Sequence, residues 1–98
     1  MNTFTLALHD SAQRLEFTDV YSFVGEDASG SFGLRAGHAR FMTILSFGLA
    51  RFRSPNDEWQ FVAMPGATLY FHANRLWIGT RRFVLDHDYV RISKLLRE

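Results

Sequence analysis

Four patterns in the sequence carry residue types that do chemistry. The first is Asp86-His87-Asp88, whose carboxylates and imidazole suit a divalent metal. Three consecutive residues cannot converge on one ion from a strand or a helix. Both aspartates instead stand where a helix would begin, so they read as N-caps. The second is His9-Asp10 at the end of a predicted strand, with His72 in a late hairpin. The third would be a serine–histidine–aspartate set, but no serine occupies a nucleophile elbow. The fourth is the polar stretch "GEDASGSFG" at residues 25–33, where backbone N–H groups could cradle a phosphate. It has no lysine and no following helix, and Glu26 and Asp27 stand where the phosphate would lie. Its glycines read as turn positions of positive φ. No catalytic residue, metal ligand or cofactor is expected.

The remaining histidine, His38, follows Gly37 in "GSFGLRAGHARFMTILSFG", residues 30–48. In one reading it is a turn histidine, solvated or bonded to nearby backbone. In the other it is an exposed contact residue on a loop held by a rigid scaffold.

The elements that would position these residues are short strands. "TFTLALH" alternates, with Phe4, Leu6 and Leu8 on one side. "RLEF" points Leu15 and Phe17 inward, and residues 20–24 form the next strand. The glycine-rich stretch 25–33 is read as a loop. Residues 39–45 and 49–53 are strands, and "SPND" is a turn with Pro55 at its second position. "EWQFVAM" sets Trp59, Phe61 and Ala63 against Glu58, Gln60 and Val62. "ATLYFHA" and "RLWIGTRRFVL" flank a turn at Ala73-Asn74. Turn signals at this spacing predict an all-β fold: an antiparallel β-sandwich or flattened barrel of about eight to ten short strands. "DHDYVRISKLLRE" then reads as a short C-terminal helix with Tyr89, Ile92 and Leu96 on one face. The expected division is a sandwich over residues 1–85 and a helical segment over 86–98.

Bulk composition narrows the function classes. A chain of 98 residues with 47% hydrophobic and 21% charged residues fits one folded domain. The 10 phenylalanines favour half-buried strand surfaces. A net charge of +1 gives no concentrated basic face, so no nucleic-acid partner is expected. Of 11 basic residues only Lys94 is lysine. Arginine suits protein interfaces through planar contacts and stacking, although a codon bias would produce the same count. There is no cysteine to form a disulfide. The start "MNTFTLALHD" lacks the pattern of a signal peptide, and no apolar run is long enough to span a bilayer. The expectation is a soluble chain that reaches a membrane only through a partner.

Residues 30–48 resemble the signature of the epsilon subunit of F-type rotary ATP synthases, in its N-terminal β-sandwich. That signature reads G-x-x-G-[VIL]-x-P-G-H-x-P-[LM]-[LIM]-[TS]-x-[LI]-x-x-G. Gly30, Gly33, Leu34, Gly37, His38, Ala39, Phe41, Met42, Thr43, Leu45 and Gly48 fit its places. The opening "TFTLALHDSAQRLEFTDVYSFVGEDASG" and the closing "FVAMPGATLYFHANRLWIGTRRFVL" are similar to the family as well. The departures are Ala36 and Arg40, where prolines are usual, Phe47 near a third such place, and Thr80-Arg81-Arg82 in place of an acidic closing. With the many arginines, they look like a divergent branch, such as the alternative, proton- or sodium-translocating ATPases of some bacteria.

The resemblance implies a non-catalytic central-stalk subunit, not an enzyme by itself, on the cytoplasmic face of the inner (plasma) membrane. Its implied partners are the gamma subunit and the c-ring, with the alpha or beta subunits reached through the C-terminal helix. The implied c-ring contacts are Arg35, Ala36, Gly37, His38 and Arg40. The gamma contacts expected on an exposed sheet face are Tyr70, Trp77 and Phe83, each of which could equally belong to the core, and Gly30, Gly33, Gly37 and Gly48 are expected as structural turn glycines. The family continues into a two-helix hairpin, of which only a first short helix is expected here, and without the second no inhibitory switch is expected. The alternative is a stand-alone β-sandwich that binds a ligand or peptide.

Overall fold

The structure, a computed structural model, describes residues 2–55 and 57–97. They form ten strands and one helix. The strands are β1 (Phe4–His9), β2 (Arg14–Val20), β3 (Ser22–Asp27), β4 (Gly30–Leu34), β5 (Phe41–Leu45), β6 (Gly48–Arg53), β7 (Gln60–Met64), β8 (Ala67–His72), β9 (Arg75–Thr80) and β10 (Val84–Asp86). The helix α1 (Tyr89–Arg97) follows.

Hydrogen bonding links the strands in the order β10-β7-β6-β3-β5-β8-β9-β1-β2, with β4 on the other side of β3. The ribbon folds over on itself. Phe17 on β2 and Phe52 on β6 lie far apart in that order, yet their rings are 4.9 Å apart. Two layers result, one of β10, β7, β6, β3 and β4, the other of β5, β8, β9, β1 and β2. A single residue pair, Asp27 with Leu45, joins them between β3 and β5. Thr43 Oγ1 donates to Asp27 Oδ2 at 2.7 Å across the same corner.

Between the layers lies the core. Phe23, Ala50, Phe52, Val62 and Met64 enter it from one side, and Phe4, Leu6, Leu8, Leu69, Phe71, Leu76 and Ile78 from the other. Phe4 and Phe71 meet edge to face at 5.4 Å. Each large apolar side chain fully buried contributes about 1.5–3 kcal/mol, which offsets the entropy of ordering so many short strands. The alternation predicted for residues 3–9 holds for Phe4, Leu6 and Leu8, and the small Ala7 is buried too.

Five local expectations differ from the structure, each for a physical reason. Residues 25–33 are no loop: β3 and β4 form a hairpin through them, with Glu26 facing Ser31 and Asp27 facing Gly30. The Asp27 carboxylate accepts from Ser29 N at 2.9 Å and so builds the turn itself. Residues 20–24 are not one strand, because the chain changes layers at Tyr21, whose N–H donates to Arg53 O at 2.8 Å. The inward face of β7 is Val62 and Met64, and Phe61 points outward against Tyr89 of α1, ring centroids 5.3 Å apart. The helix covers that outer face, so apolar residues occur on both sides and the alternation misleads. "RLWIGTRRFVL" breaks after Thr80, and β10 crosses back to pair with β7. Finally, the pairing is not wholly antiparallel: β1 lies parallel to β9, Leu6 beside Leu76.

The Ala73-Asn74 turn is as expected. Both residues have positive φ, 52° and 60°, the two-residue turn whose twist matches a hairpin. Asp88 is the helix N-cap, with Arg91 N donating to its Oδ1 at 3.1 Å. Asp86 instead accepts from the Arg91 guanidinium at 2.6 Å. That hydrogen bond, the Asp88 N–H and the Arg91 charge hold its carboxyl well below the usual carboxylate range.

Candidate docking surfaces

The Gly-His loop, residues 35–40, leaves β4 in one layer and enters β5 in the other. His38 N–H donates to Arg35 O at 3.2 Å and closes a turn with Ala36 and Gly37 at its centre. Gly37 has φ +84°, a conformation that side chains strain, so this position calls for glycine. Its N–H donates to Asn74 Oδ1 at 2.7 Å, which ties the loop to the β8–β9 turn. His38 Nδ1 lies 2.8 Å from Ala39 O, and the ring stands edge-on to Phe41 and Phe71 at 5.7 and 6.0 Å. The histidine is exposed and bonded to neighbouring backbone, as the turn reading expects. Arg35, Gly37, His38 and Arg40 are exposed and Ala36 half-buried, five residues brought to one end of the sandwich.

A second surface is the outer face of the layer that holds β5, β8 and β9. Tyr70 and Trp77, partners across β8 and β9, stack at 5.4 Å with planes 24° apart. Beside them on β5, Met42 is 73% exposed and Ile44 70% exposed. With Thr68, Leu69 and His9 they outline an open depression of about 510 Å³. Two such exposed apolar side chains beside the aromatic pair make this face a candidate contact surface. Gly79 adds to its flatness, because a Cβ there would stand 3.0 Å from the His9 ring.

Phe83 does not join Tyr70 and Trp77. It is 5% exposed, inside the core, and its N–H donates to Asp10 Oδ2 at 3.2 Å. Asp10 also accepts from Ala12 N at 2.8 Å and Gln13 N at 2.9 Å. The Ala12 N–H first, with its fellow donors, holds that carboxyl below its ordinary value. The His9-Asp10 pair therefore anchors a turn and the link after β9. Among the turn glycines, Gly30 and Gly48 have φ +122° and +146°, but Gly33 lies within β4 opposite Val24. Met42 and Ile44 on this face were not singled out from the sequence, although the alternation of residues 41–45 separates them from Leu45. Nor was Gly25, where a Cβ would sit 2.9 Å from Phe23 and 3.1 Å from Leu45.

Among the described residues no group of three or more His, Asp or Glu side chains is placed to hold a metal ion, and no helix is long and apolar enough to cross a membrane. The features that are present are a pinned basic turn and an aromatic–apolar sheet face on a two-layer β-sandwich. Residues 3–86 match the family described as ATP synthase, Delta/Epsilon chain, beta-sandwich domain. The chain belongs to that family. It is 37% identical over 84 residues to ATP synthase epsilon chain 2 of Cereibacter sphaeroides, a match over 85% of this chain and 58% of that protein. It thus spans less than two thirds of that relative's length. Its fold is similar to a chain in the cryo-EM structure of the Euglena gracilis mitochondrial ATP synthase (OSCP/F1/c-ring), with TM-score 0.77 and 17% identity over 98% of this chain and 62% of that one. A chain in the Tetrahymena thermophila mitochondrial ATP synthase central stalk/c-ring structure gives TM-score 0.71 and 14% identity, covering 82% of this chain and 64% of that one.

Proposed function

We propose that the chain is the central-stalk epsilon subunit of a rotary F-type ATP synthase. It carries out no bond chemistry. It binds the gamma subunit and the c-ring, and so helps couple ion flow through the ring to ATP synthesis or hydrolysis elsewhere in the complex. The family match over residues 3–86 carries this reading. The exposed loop at 35–40 then meets the polar loops of the c-ring, with Arg35, Ala36, Gly37, His38 and Arg40 as contacts. The sheet face of Tyr70, Trp77, Met42 and Ile44 is the gamma-binding surface. Exposed Val90 and Leu95 of α1 are the side chains available to alpha or beta. In this reading the chain stays at the cytoplasmic face of the inner (plasma) membrane, held there by the complex.

Rigidity suits this role. A sandwich packed through Phe4, Phe23 and Phe71 transmits force with little compliance, because protein interiors are close-packed. The basic loop favours an acidic surface on the ring. The test is the double substitution Arg35→Glu and Arg40→Glu in the assembled enzyme. Loss of the subunit from the complex, or loss of ion-coupled ATP hydrolysis, is expected. Normal assembly and coupling would refute the loop as the ring contact.

A further inference from the structure

The outer face of the other layer carries a stack of alternating cations and aromatic rings. Arg35 lies over Tyr21 at 4.6 Å from the ring centroid, and Arg53 approaches the same ring at 5.3 Å. Arg53 also lies 5.3 Å from the Trp59 ring, and Arg51 lies 4.7 Å from it. The order is Arg35–Tyr21–Arg53–Trp59–Arg51. Arg51 and Arg53 share the outer face of β6 because Ala50 and Phe52 between and before them point into the core.

Stacking occupies the flat face of a guanidinium and leaves its N–H donors in the plane. Arg35 directs one of them to the Tyr21 hydroxyl at 3.1 Å. Arg53 Nε is buried and has no acceptor among the described residues. Glu26 lines the hollow beside Arg51, and Asp57 and Glu58 line the one beside Arg53. Among the described residues, though, the ion pairs are Arg75 with Glu16 and Arg91 with Asp86, and no carboxylate pairs with Arg35, Arg51 or Arg53. Aromatic rings thus hold three arginines in fixed positions without a direct ion pair among the described residues, with Glu26, Asp57 and Glu58 beside the row. An oxyanion placed at the N–H edges would make paired, charge-assisted hydrogen bonds and relieve the like-charge repulsion.

We propose that this arginine–aromatic stack is a docking site for an extended acidic segment of a partner polypeptide. Spacing selects the occupant. Arg51 and Arg53 are two residues apart on a strand, roughly 6.5–7 Å along it. An extended chain laid along β6 has the same backbone repeat, so its alternate side chains fall along the row of arginines. The site is on the opposite layer from the Met42–Trp77 face and shares Arg35 with the loop proposed to meet the c-ring. The peptide test acts through Arg51, Arg53 and Trp59, none of which the loop test touches, so its failure leaves the stalk reading intact.

The experiment uses the full chain and a fluorescein-labelled peptide of alternating Asp and Thr, with an Asn–Thr peptide as control, at low salt. Fluorescence anisotropy is expected to rise with the Asp peptide alone. Arg51→Gln and Arg53→Gln should each weaken binding about tenfold, the loss of one hydrogen-bonded charge contact. Trp59→Leu keeps both charges but frees the guanidiniums, and should weaken binding severalfold. Arg82→Gln, exposed elsewhere, should leave it unchanged. Should Arg53→Gln fail to fold, Arg51→Gln gives the same reading, since Arg51 is exposed. Absent binding, or equal affinity in Arg51→Gln, overturns the proposal. So does full displacement of the peptide by inorganic phosphate at matched charge. Arginine-dependent binding to phosphatidylglycerol vesicles without binding to the peptide overturns it in favour of a membrane.

Discussion

Replacing Met42 and Ile44 together by threonine separates docking from folding. Threonine keeps the preference for strand, so β5 itself loses little. Both side chains are mostly in solvent, 73% and 70% exposed, and exposed substitutions of this kind change stability by about 0.5 kcal/mol or less. Docked on gamma, the same side chains would be covered. Full burial of a Met or Ile side chain is worth about 1.5–3 kcal/mol, and some seven tenths of that remains to be gained here. The pair therefore accounts for about 2–4 kcal/mol of binding, or a thirtyfold to several-hundredfold rise in Kd. The assay is paired: thermal unfolding of the free chain, and titration calorimetry against the gamma subunit. An unchanged Tm with the weakened Kd is expected. A Kd changed by less than threefold would show that this face is not the gamma surface. A large fall in Tm would show that the two side chains support the fold instead.

Three further outcomes follow from the geometry. Gly25→Ala should destabilise the chain by about 1–3 kcal/mol, because its new methyl would press on Phe23, Leu45 and Phe32, whereas Gly33→Ala, with only Phe23 O at 3.8 Å, should not; denaturant unfolding compares the two. Asp10, Asp27 and Asp86 all have folded-state pKa values below the ordinary carboxylate value, chiefly through the Ala12 N–H, the Ser29 hydroxyl and the Arg91 guanidinium respectively. Such groups stabilise the fold above the unfolded-state pKa and lose that contribution as pH falls through the folded one, so Tm should drop below about pH 4, and Asp27→Asn should flatten that drop. Asn74→Gly keeps the positive φ of the turn but removes the Oδ1 tether, and should speed hydrogen exchange at the Gly37 amide with little change in Tm.

Much of this architecture was legible where one side of a strand is wet. Phe4, Leu6 and Leu8 alternate with polar neighbours, and the Ala73-Asn74 turn separates two clear apolar runs. Legibility fails where both faces are apolar. β7 is covered by α1 on the outside, so the alternation separated Phe61 from Val62 without showing which of the two faces the core. It fails again where the chain changes layers, at Tyr21 and after Thr80, because a crossing leaves the local apolar pattern unbroken. Of the docking surfaces, the loop at 35–40 was readable from the spacing of Gly37 and His38. The arginine–aromatic stack was not, since Tyr21, Arg35, Arg53 and Trp59 come from separate segments that only the folded sheets bring together. Phe83 was open between contact and core in the sequence, and its ring turns into the core.

The parallel pairing of β1 with β9 sets an order of events during synthesis. The first strand made can complete its layer only when residues 75–80 exist, since it lies between β2 and β9. Until then the β1–β2 hairpin keeps one open edge and uncovered Phe4, Leu6 and Leu8, and an isolated two-stranded hairpin is marginal in water. At about 5–20 residues per second, that interval lasts several seconds on the ribosome. Closure then joins residues some seventy positions apart, the kind of non-local contact that makes β folds slow. The nascent chain therefore passes through a period in which β1 carries uncovered apolar side chains and an unpaired edge.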